Sequence, residues 1–183
     1  MRLFALLSRS VIGLRVRLRY VLSLCIDWVK YAEKKNAALL VASSGLVLSL
    51  IGRFPDKTFS AGIRACFWIG CVSMVLSAVI CLISFIPEIE FPWIGSRRKT
   101  SSEDNLFFFG HIADYSASEL VDVFYRGENL QPAANKLQLD LAGQIIVNAK
   151  ISLRKFRLFT VAFWLATLGV AFLMWAAVLN LSQ

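Results

Sequence analysis

The sequence predicts an all-α integral membrane protein with three transmembrane helices and a cytosolic helical segment between the second and third. Hydrophobic residues make up 57% of the 183 residues and charged residues only 17%, whereas a soluble domain carries roughly 45–50% apolar residues. The apolar residues lie in three runs, each near the length of about 20 residues that a helix needs to cross a bilayer. The predicted spans are Asn36–Phe54, Ala65–Ile86 and Leu158–Leu181.

The composition also excludes other classes of protein. Four cysteines in a chain of this length are too few, and lie mostly in sequence too apolar, for a secreted disulfide scaffold. The low charge and the abundance of Phe, Leu and Val exclude intrinsic disorder.

The N-terminal residues 1–35 are predicted to form a basic amphipathic helix. A secretory signal needs an uninterrupted apolar stretch of roughly 7–15 residues, but Arg9 follows the short run Leu3–Leu7 and further arginines come after it. We therefore expect Met1–Leu14 to lie on the anionic inner leaflet of the membrane.

The distribution of Lys and Arg predicts the orientation of the spans. Eight basic residues precede the first span, whereas the connection to the second contains only Lys57 and Arg64. Basic residues also follow the second span and precede the third. We therefore expect a cytoplasmic N-terminus, a transmembrane hairpin over residues 36–86, a cytosolic segment over residues 87–157, and a periplasmic C-terminus after the third span, residues 158–181.

The predicted cytosolic segment has a balanced charge, which argues against a nucleic-acid partner. Nine acidic residues face nine basic ones between Glu88 and Arg157, and a nucleic-acid-binding region would be strongly basic. Leu106–Phe109 is an apolar cluster that needs a partner surface. Ser116 and Glu119 predict a capping box that begins a short helix ending at Gly127, with Leu120, Val123 and Phe124 as its buried stripe.

Two long helices are expected to continue from the membrane into the cytosol. Pro132 stands where a first helical residue is favoured. Leu137, Leu141, Ile145 and Ala149 recur every four residues, and Ser152 and Phe156 continue the row toward the third span. Leu14–Lys35 can likewise be helical up to the first span. Such levers provide the mechanical basis for a switch.

Each predicted span has one face of small residues, and such faces let helices approach closely in lipid. The three sets are Ala38, Ala42, Gly45, Ser49 and Gly52; Gly70, Ser73, Ser77, Cys81 and Ser84; and Ala162, Ala166 and Gly169. Packing within one chain and packing between protomers both remain open, and because three helices make a thin bundle we expect a homo-oligomer.

The sequence contains no pattern that points to catalysis. His111 is the one histidine, so the chain cannot build a His-based metal site by itself. Phosphate-binding and nucleophile motifs are absent, and no Asp, Glu, Lys or Arg lies in the interior of a predicted span, which argues against a transporter. We expect no catalytic residue, no metal and no cofactor.

Polar residues near the cytosolic face are the candidate ligand-binding residues. Gln144 and Asn148 are four apart and share a helix face, where amides can read a base edge while a nearby Lys or Arg contacts a phosphate. The alternative is that these side chains are interfacial charges and helix-packing amides. The candidate residues are Lys35, Asn105, His111, Gln144, Asn148, Lys150 and Arg154.

Three stretches of the sequence resemble the transmembrane effectors of Pycsar antiphage systems. They are YAEKKNAALLVASSGLVLSL (Tyr31–Leu50), NLFFFGHIADYS (Asn105–Ser116) and LDLAGQIIVNAKISLRKFRLF (Leu139–Phe159). The most specific part is Gln144–Ile151, and the order of the membrane and cytosolic segments agrees with that family.

The resemblance implies an effector in the bacterial inner membrane. A partner pyrimidine nucleotide cyclase makes cyclic CMP or cyclic UMP after infection, the effector responds, and the loss of membrane integrity kills the cell before the phage spreads. The alternatives are an effector gated by another cyclic nucleotide and a non-enzymatic membrane adaptor that binds a protein through Phe107–Phe109.

Overall fold

The computed structural model describes residues 2–53, 59–87, 100–101, 104–127 and 135–181, and the side chains within these ranges except those of residues 2–12 and 53. In these ranges the chain forms helices and turns and no strand. The α-helices are α1 (Arg2–Leu50), α2 (Ala61–Ile83), α3 (Phe109–Ile112), α4 (Ala117–Arg126) and α5 (Lys136–Leu181), and a 3-10 turn over Ile51–Arg53 follows α1.

The chain divides into two compact units. Unit 1 consists of Met1–Tyr31 and Glu88–Arg154, and unit 2 consists of Ala32–Pro87 and Lys155–Gln183. Helices α1 and α5 each contribute residues to both units, while α2 belongs to unit 2 and the short helices α3 and α4 belong to unit 1.

The structure contains two long helices where the sequence predicts them. Helix α1 is continuous over 49 residues and α5 over 46 residues. Pro132, the predicted first residue of the second long helix, lies outside the described residues. The described helix begins after Asn135, whose side chain accepts a hydrogen bond from Gln138 N at 3.0 Å while Gln138 Oε1 accepts one from Asn135 N at 3.0 Å. This reciprocal pair is a capping box.

Unit 1 has a core built on an apolar stripe of α1. Leu14, Leu18, Val21 and Cys25 are all buried, and their spacing of four, three and four residues places them on one helix face. Buried residues of the other helices complete the core, among them Ile112, Leu120, Val121, Ala142, Ile145 and Ala149. From Leu14 onward, therefore, the apolar face of the N-terminal helix packs against protein. The prediction that Met1–Leu14 lies on the inner leaflet therefore does not hold for Leu14, which is buried, and the side chains of residues 1–12 lie outside the described residues.

Helix α4 begins and ends where the sequence predicts. Ser116 Oγ accepts a hydrogen bond from Glu119 N at 3.3 Å, and Glu119 Oε2 accepts one from Ser116 N at 2.7 Å. Gly127 is the C-cap residue. Leu120 and Phe124 are buried as expected, but Val123 is only partly buried, because the packed face turns toward Val121 and Tyr125.

Unit 2 is a bundle of α1, α2 and α5 joined by short polar contacts. Ser77 Oγ donates to the carbonyl oxygen of Ala162 at 2.8 Å and lies 3.3 Å from Ser43 Oγ. At one end, Ile63, Phe67, Cys71 and Ala176 form a buried apolar cluster.

The small-residue faces of the second and third spans are confirmed as packing faces, and that of the first is not. Every residue of the sets on α2 and α5 is buried. In the part of α1 that belongs to unit 2, the buried residues are Ala32, Asn36 and Ser43, whereas the predicted set from Ala38 to Gly52 is exposed throughout. Both faces have helical spacing, so spacing alone does not decide which one meets the neighbouring helices.

Two of the three predicted spans lie in helices long and apolar enough to cross a membrane: α2 and the apolar part of α5. Only 33% and 22% of their most apolar windows are buried inside the structure, so most of this apolar surface faces outward, as it does in lipid. The predicted span Asn36–Phe54 stays a prediction. Its uncharged α-helical part ends at Leu50, and Phe54 lies outside the described residues.

Candidate functional site

A buried lysine joins the three helices of unit 2 near the C-terminal end of α2, away from the apolar cluster that contains Ile63. Lys155 on α5 is 8% exposed, and its ammonium group donates to Glu33 Oε1 on α1 at 3.1 Å and to the carbonyl oxygen of Ser84, just after α2, at 2.9 Å. The same ammonium group lies 5.8 Å from the centre of the Phe85 ring. A cation is favourable at the C-terminus of α2, where backbone carbonyl groups lack helical partners.

Asn36 adds a second polar connection beside this lysine. Its side chain is fully buried, and Nδ2 donates to the carbonyl oxygen of Ala32 at 2.9 Å and to that of Lys155 at 3.3 Å. We call Glu33, Asn36, Ser84 and Lys155 the polar cluster.

The polar cluster is not fully satisfied. Asn36 Oδ1 and Ser84 Oγ are buried and have no hydrogen-bond partner among the described residues. A buried polar atom without a partner costs free energy. The cluster therefore links three helices through Lys155 and Asn36 while leaving two buried polar atoms unsatisfied among the described residues.

The predicted ligand-binding residues Asn105 and His111 are brought together in unit 1. His111 Nδ1 accepts a hydrogen bond from Asn105 N at 2.9 Å and lies 3.7 Å from Asp104 Oδ1. Asp104 Oδ2 in turn accepts from Ser101 N at 2.9 Å and lies 3.1 Å from the Tyr115 hydroxyl oxygen. The His111 side chain, a predicted ligand-binding group, thus helps Asp104 and Tyr115 to hold the loop that precedes α3.

Gln144 and Asn148 also contact each other, but within their own helix. Asn148 Nδ2 donates to the carbonyl oxygen of Gln144 at 2.8 Å, and the Gln144 side chain is exposed. Among the described residues, no hydrogen bond joins this pair to Asn105 or His111.

The remaining predicted ligand-binding residues are distributed over both units. Lys150 and Arg154 continue along α5 in unit 1, each partly buried. Lys35 belongs to unit 2, where its ammonium group lies 5.4 Å from the centre of the Phe159 ring. The role of all seven residues in binding stays a prediction.

Sequence reasoning missed Lys155 and Ser84 as members of a site. Lys155 stands among the basic residues Arg154 and Arg157 next to the third span, where Lys and Arg are expected as exposed flanking charges. The sequence therefore does not distinguish Lys155, which is buried, from its neighbours. Asn36 was visible as an amide at the start of an apolar run, which is where a buried polar contact between helices can be expected.

Comparison with known proteins matches most of the chain to one family. The family described as the Pycsar effector protein domain matches residues 17–182. The Pycsar effector protein RsPycTM of a Rhizobium species is 33% identical over 142 residues, which cover 73% of this chain and 77% of that protein. The chain belongs to the Pycsar effector family.

Family membership confirms the resemblance noted in the sequence and makes the chain an effector of antiphage defence. It also links the chain to a cyclase and a cyclic nucleotide signal, and together with the apolar helices it indicates a membrane protein. No solved structure matches the chain.

Proposed function

We propose that this Pycsar effector is a non-enzymatic membrane protein activated by cyclic CMP or cyclic UMP. A partner pyrimidine nucleotide cyclase supplies the signal during infection, and the activated effector impairs the integrity of the bacterial inner membrane. The infected cell then dies before the phage spreads.

The polar cluster is the observation that carries this proposal. In the resting protein, Lys155 holds Glu33 and the C-terminal end of α2 together, and the rest of unit 2 exposes apolar side chains such as Trp68, Leu82 and Trp164. Breaking the cluster frees helices that already have a lipid-compatible surface, and repacking them changes the membrane without any chemical reaction.

The proposed topology follows the charges that flank the helices. The N-terminus and unit 1 lie in the cytoplasm, where the nucleotide is made, and the end of α5 lies in the periplasm. The Lys/Arg-rich segment before Asn36 supports this orientation.

We further propose that the effector acts as a homo-oligomer. The small-residue face of α1, from Ala38 to Gly52, is exposed in the single chain. Nothing lies within 4 Å of a methyl group placed on Gly45. Small faces of this kind support close helix packing in lipid, so α1 has a surface suited to a second copy of the chain.

A cell-based experiment tests the proposed function. Bacteria that express the effector with an active or a catalytically dead cyclase are infected with phage, and dye entry is recorded before the time of lysis. We expect early dye entry only with the active cyclase. Equal dye entry with the dead cyclase, at equal effector abundance, would show that a cyclic nucleotide is not the signal.

The same cells separate the alternatives. An active purine cyclase in place of the pyrimidine cyclase triggers dye entry only if another cyclic nucleotide gates the effector. An adaptor that binds a protein through Phe107–Phe109, where Phe107 and Phe108 are exposed, gives no dye entry with either cyclase.

A further inference from the structure

Unit 1 contains an open cleft of about 480 Å³ between α1, the turn before α3 and the end of α4. Its volume falls within the range of about 300–1,000 Å³ that is usual for sites of small organic ligands. Arg17 and Tyr20 line it from α1, Phe107 from the turn, and Phe124 and Gly127 from α4. None of the candidate residues named from the sequence lines this cleft.

Two aromatic rings stand at the cleft with much of their surface uncovered. Tyr20 is 62% exposed and Phe107 is 54% exposed, and their rings meet edge to face with centroids 6.3 Å apart. Phe124, in contrast, is buried and forms part of the cleft wall. Flat, exposed rings of this kind are the groups on which proteins stack unpaired nucleobases.

A positively charged side chain lines the cleft. Arg17 is the charged residue among the described residues that line it, and no carboxylate is among them. A neighbouring cleft of about 400 Å³, lined by Tyr115, Glu119, Asp122 and Arg126, has two carboxylates beside one cation. A phosphate is therefore favoured in the first cleft over the second, and a guanidinium group suits phosphate oxygens.

We propose that the cleft between Arg17, Tyr20 and Phe107 binds the cyclic pyrimidine mononucleotide. The base stacks on Tyr20 or Phe107, and the cyclic phosphate contacts Arg17. The identity of the ligand rests on the proposed function, whereas the place of binding rests on the aromatic rings and the charge of the cleft.

Binding to the purified full-length chain in detergent tests this site. Isothermal titration uses cyclic CMP and cyclic UMP as probes, with cytidine and inorganic phosphate to separate the contributions of base and phosphate. We expect Tyr20→Ala and Phe107→Ala to weaken binding of the cyclic nucleotide, and the ring that carries the base to account for about a 5- to 150-fold loss, the range for base–aromatic stacking. Arg17→Ala should weaken the binding of the cyclic nucleotide, and it should leave the weaker binding of cytidine unchanged because cytidine has no phosphate.

Matched variants keep this test specific. Tyr20→Phe preserves the ring and should bind the cyclic nucleotide as the parent does. A folded Tyr20→Phe with weaker binding would argue against stacking even if Tyr20→Ala fails to fold. Tyr31→Ala removes another exposed tyrosine of α1, and Arg19→Ala removes another exposed arginine. Neither residue lines the cleft, and neither variant should change the affinity.

The outcomes distinguish the site from the function. If the parent protein binds a cyclic pyrimidine nucleotide and the three cleft variants bind it equally well, the cleft is not the site. If Asn148→Ala and Arg154→Ala abolish binding while the cleft variants retain it, the ligand binds along α5 instead. If the folded parent protein binds neither nucleotide, the proposed function itself fails.

Discussion

A methyl group placed on Gly70 would lie 3.0 Å from the carbonyl oxygen of Gly169, and one placed on Gly169 would lie 3.0 Å from that of Gly70. Helices α2 and α5 therefore approach each other backbone to backbone at these two glycines. In lipid, where burial of apolar surface does not drive association, close packing of this kind is a main source of stability.

The first prediction concerns this glycine contact. Gly169→Ala should destabilise unit 2 by about 1–3 kcal/mol, because the added methyl group overpacks the interface. Thermal unfolding of the detergent-solubilised chain measures the loss. Gly62→Ala, also in unit 2, is the control, since nothing lies within 4 Å of its added methyl group. Equal stability of the two variants would contradict the backbone approach.

The second prediction concerns Ser77, which donates to the carbonyl oxygen of Ala162 at 2.8 Å. Ser77→Ala should cost about 0.6 kcal/mol and at most about 1.7 kcal/mol, the range found for hydrogen bonds between membrane helices. Ser49→Ala provides the comparison, because Ser49 is exposed and bonds to Leu46 within its own helix. An unfolding temperature of Ser77→Ala equal to that of Ser49→Ala would argue against a stabilising bond.

The third prediction concerns the polar cluster as the lock of the resting state. Lys155→Met should let dye into cells without any nucleotide, because the hydrogen bonds to Glu33 and Ser84 are lost. Lys34→Met, at an exposed neighbouring position, should leave cells intact. If Lys155→Met reaches the membrane at normal abundance and the cells still exclude dye, the polar cluster does not hold the effector in its resting state.

A milder change tests the same cluster if Lys155→Met accumulates poorly. Glu33→Gln keeps a hydrogen-bonding oxygen for Lys155 but removes the negative charge, so it should give partial dye entry at normal abundance. No dye entry from this variant would separate the stability of the cluster from any role in activation.

The fourth prediction concerns Cys25, where burial raises the pKa of the thiol from 9.0 to about 11. At pH 8 the folded chain should hold about 100-fold less thiolate than an ordinary cysteine. In a variant with Cys66→Ala, Cys71→Ala and Cys81→Ala, maleimide labelling should therefore be slow, and adding Arg19→Cys should make it fast. Fast labelling of Cys25 alone would show that α1 is not packed in unit 1.

The same shift predicts a pH dependence of stability. Between pH 9.0 and about 11 the folded chain retains a proton that the unfolded chain releases, so stability contributed by this group falls as pH rises through that window. Cys25→Ala should reduce the slope of the unfolding temperature against pH there, and an unchanged slope would contradict the assignment.

The fifth prediction concerns assembly through the exposed face of α1. Gly45→Leu should leave the chain folded but reduce the size of the assembled particle, because a large side chain separates helices that meet at small residues. Mass measurement in native detergent micelles checks this result. If the mass of the particle is unchanged while the stability of the chain is equal to that of the parent, the copies do not assemble through this face of α1.

Local sequence patterns determined much of the fold. Both ends of α4 depend on residues that are close in the sequence: Ser116 and Glu119 form the capping box, and Gly127 ends the helix. The local sequence was therefore sufficient to place this helix. The helix continuity of α1 and α5 follows from long stretches without proline, and on α2 and α5 the small residues at helical spacing correctly indicated the buried face.

Contacts between distant parts of the chain could not be read in the same way. Asn36 and Lys155 are 119 residues apart, and nothing in the spacing of either neighbourhood selects the other. Likewise, Tyr20 lies in the N-terminal helix and Phe107 between the second and third predicted spans, so only the folded structure reveals the cleft that they share. The exposed face of α1 shows the same limit, because two faces of one helix carried suitable residues.

The central claim is that a cyclic pyrimidine nucleotide converts this resting membrane protein into one that breaches the bilayer. Release of dye from liposomes that contain the purified chain tests it most directly. We predict release on addition of cyclic CMP or cyclic UMP and none before it. Tight liposomes with both nucleotides, when the chain is folded and inserted with unit 1 accessible, would contradict the claim.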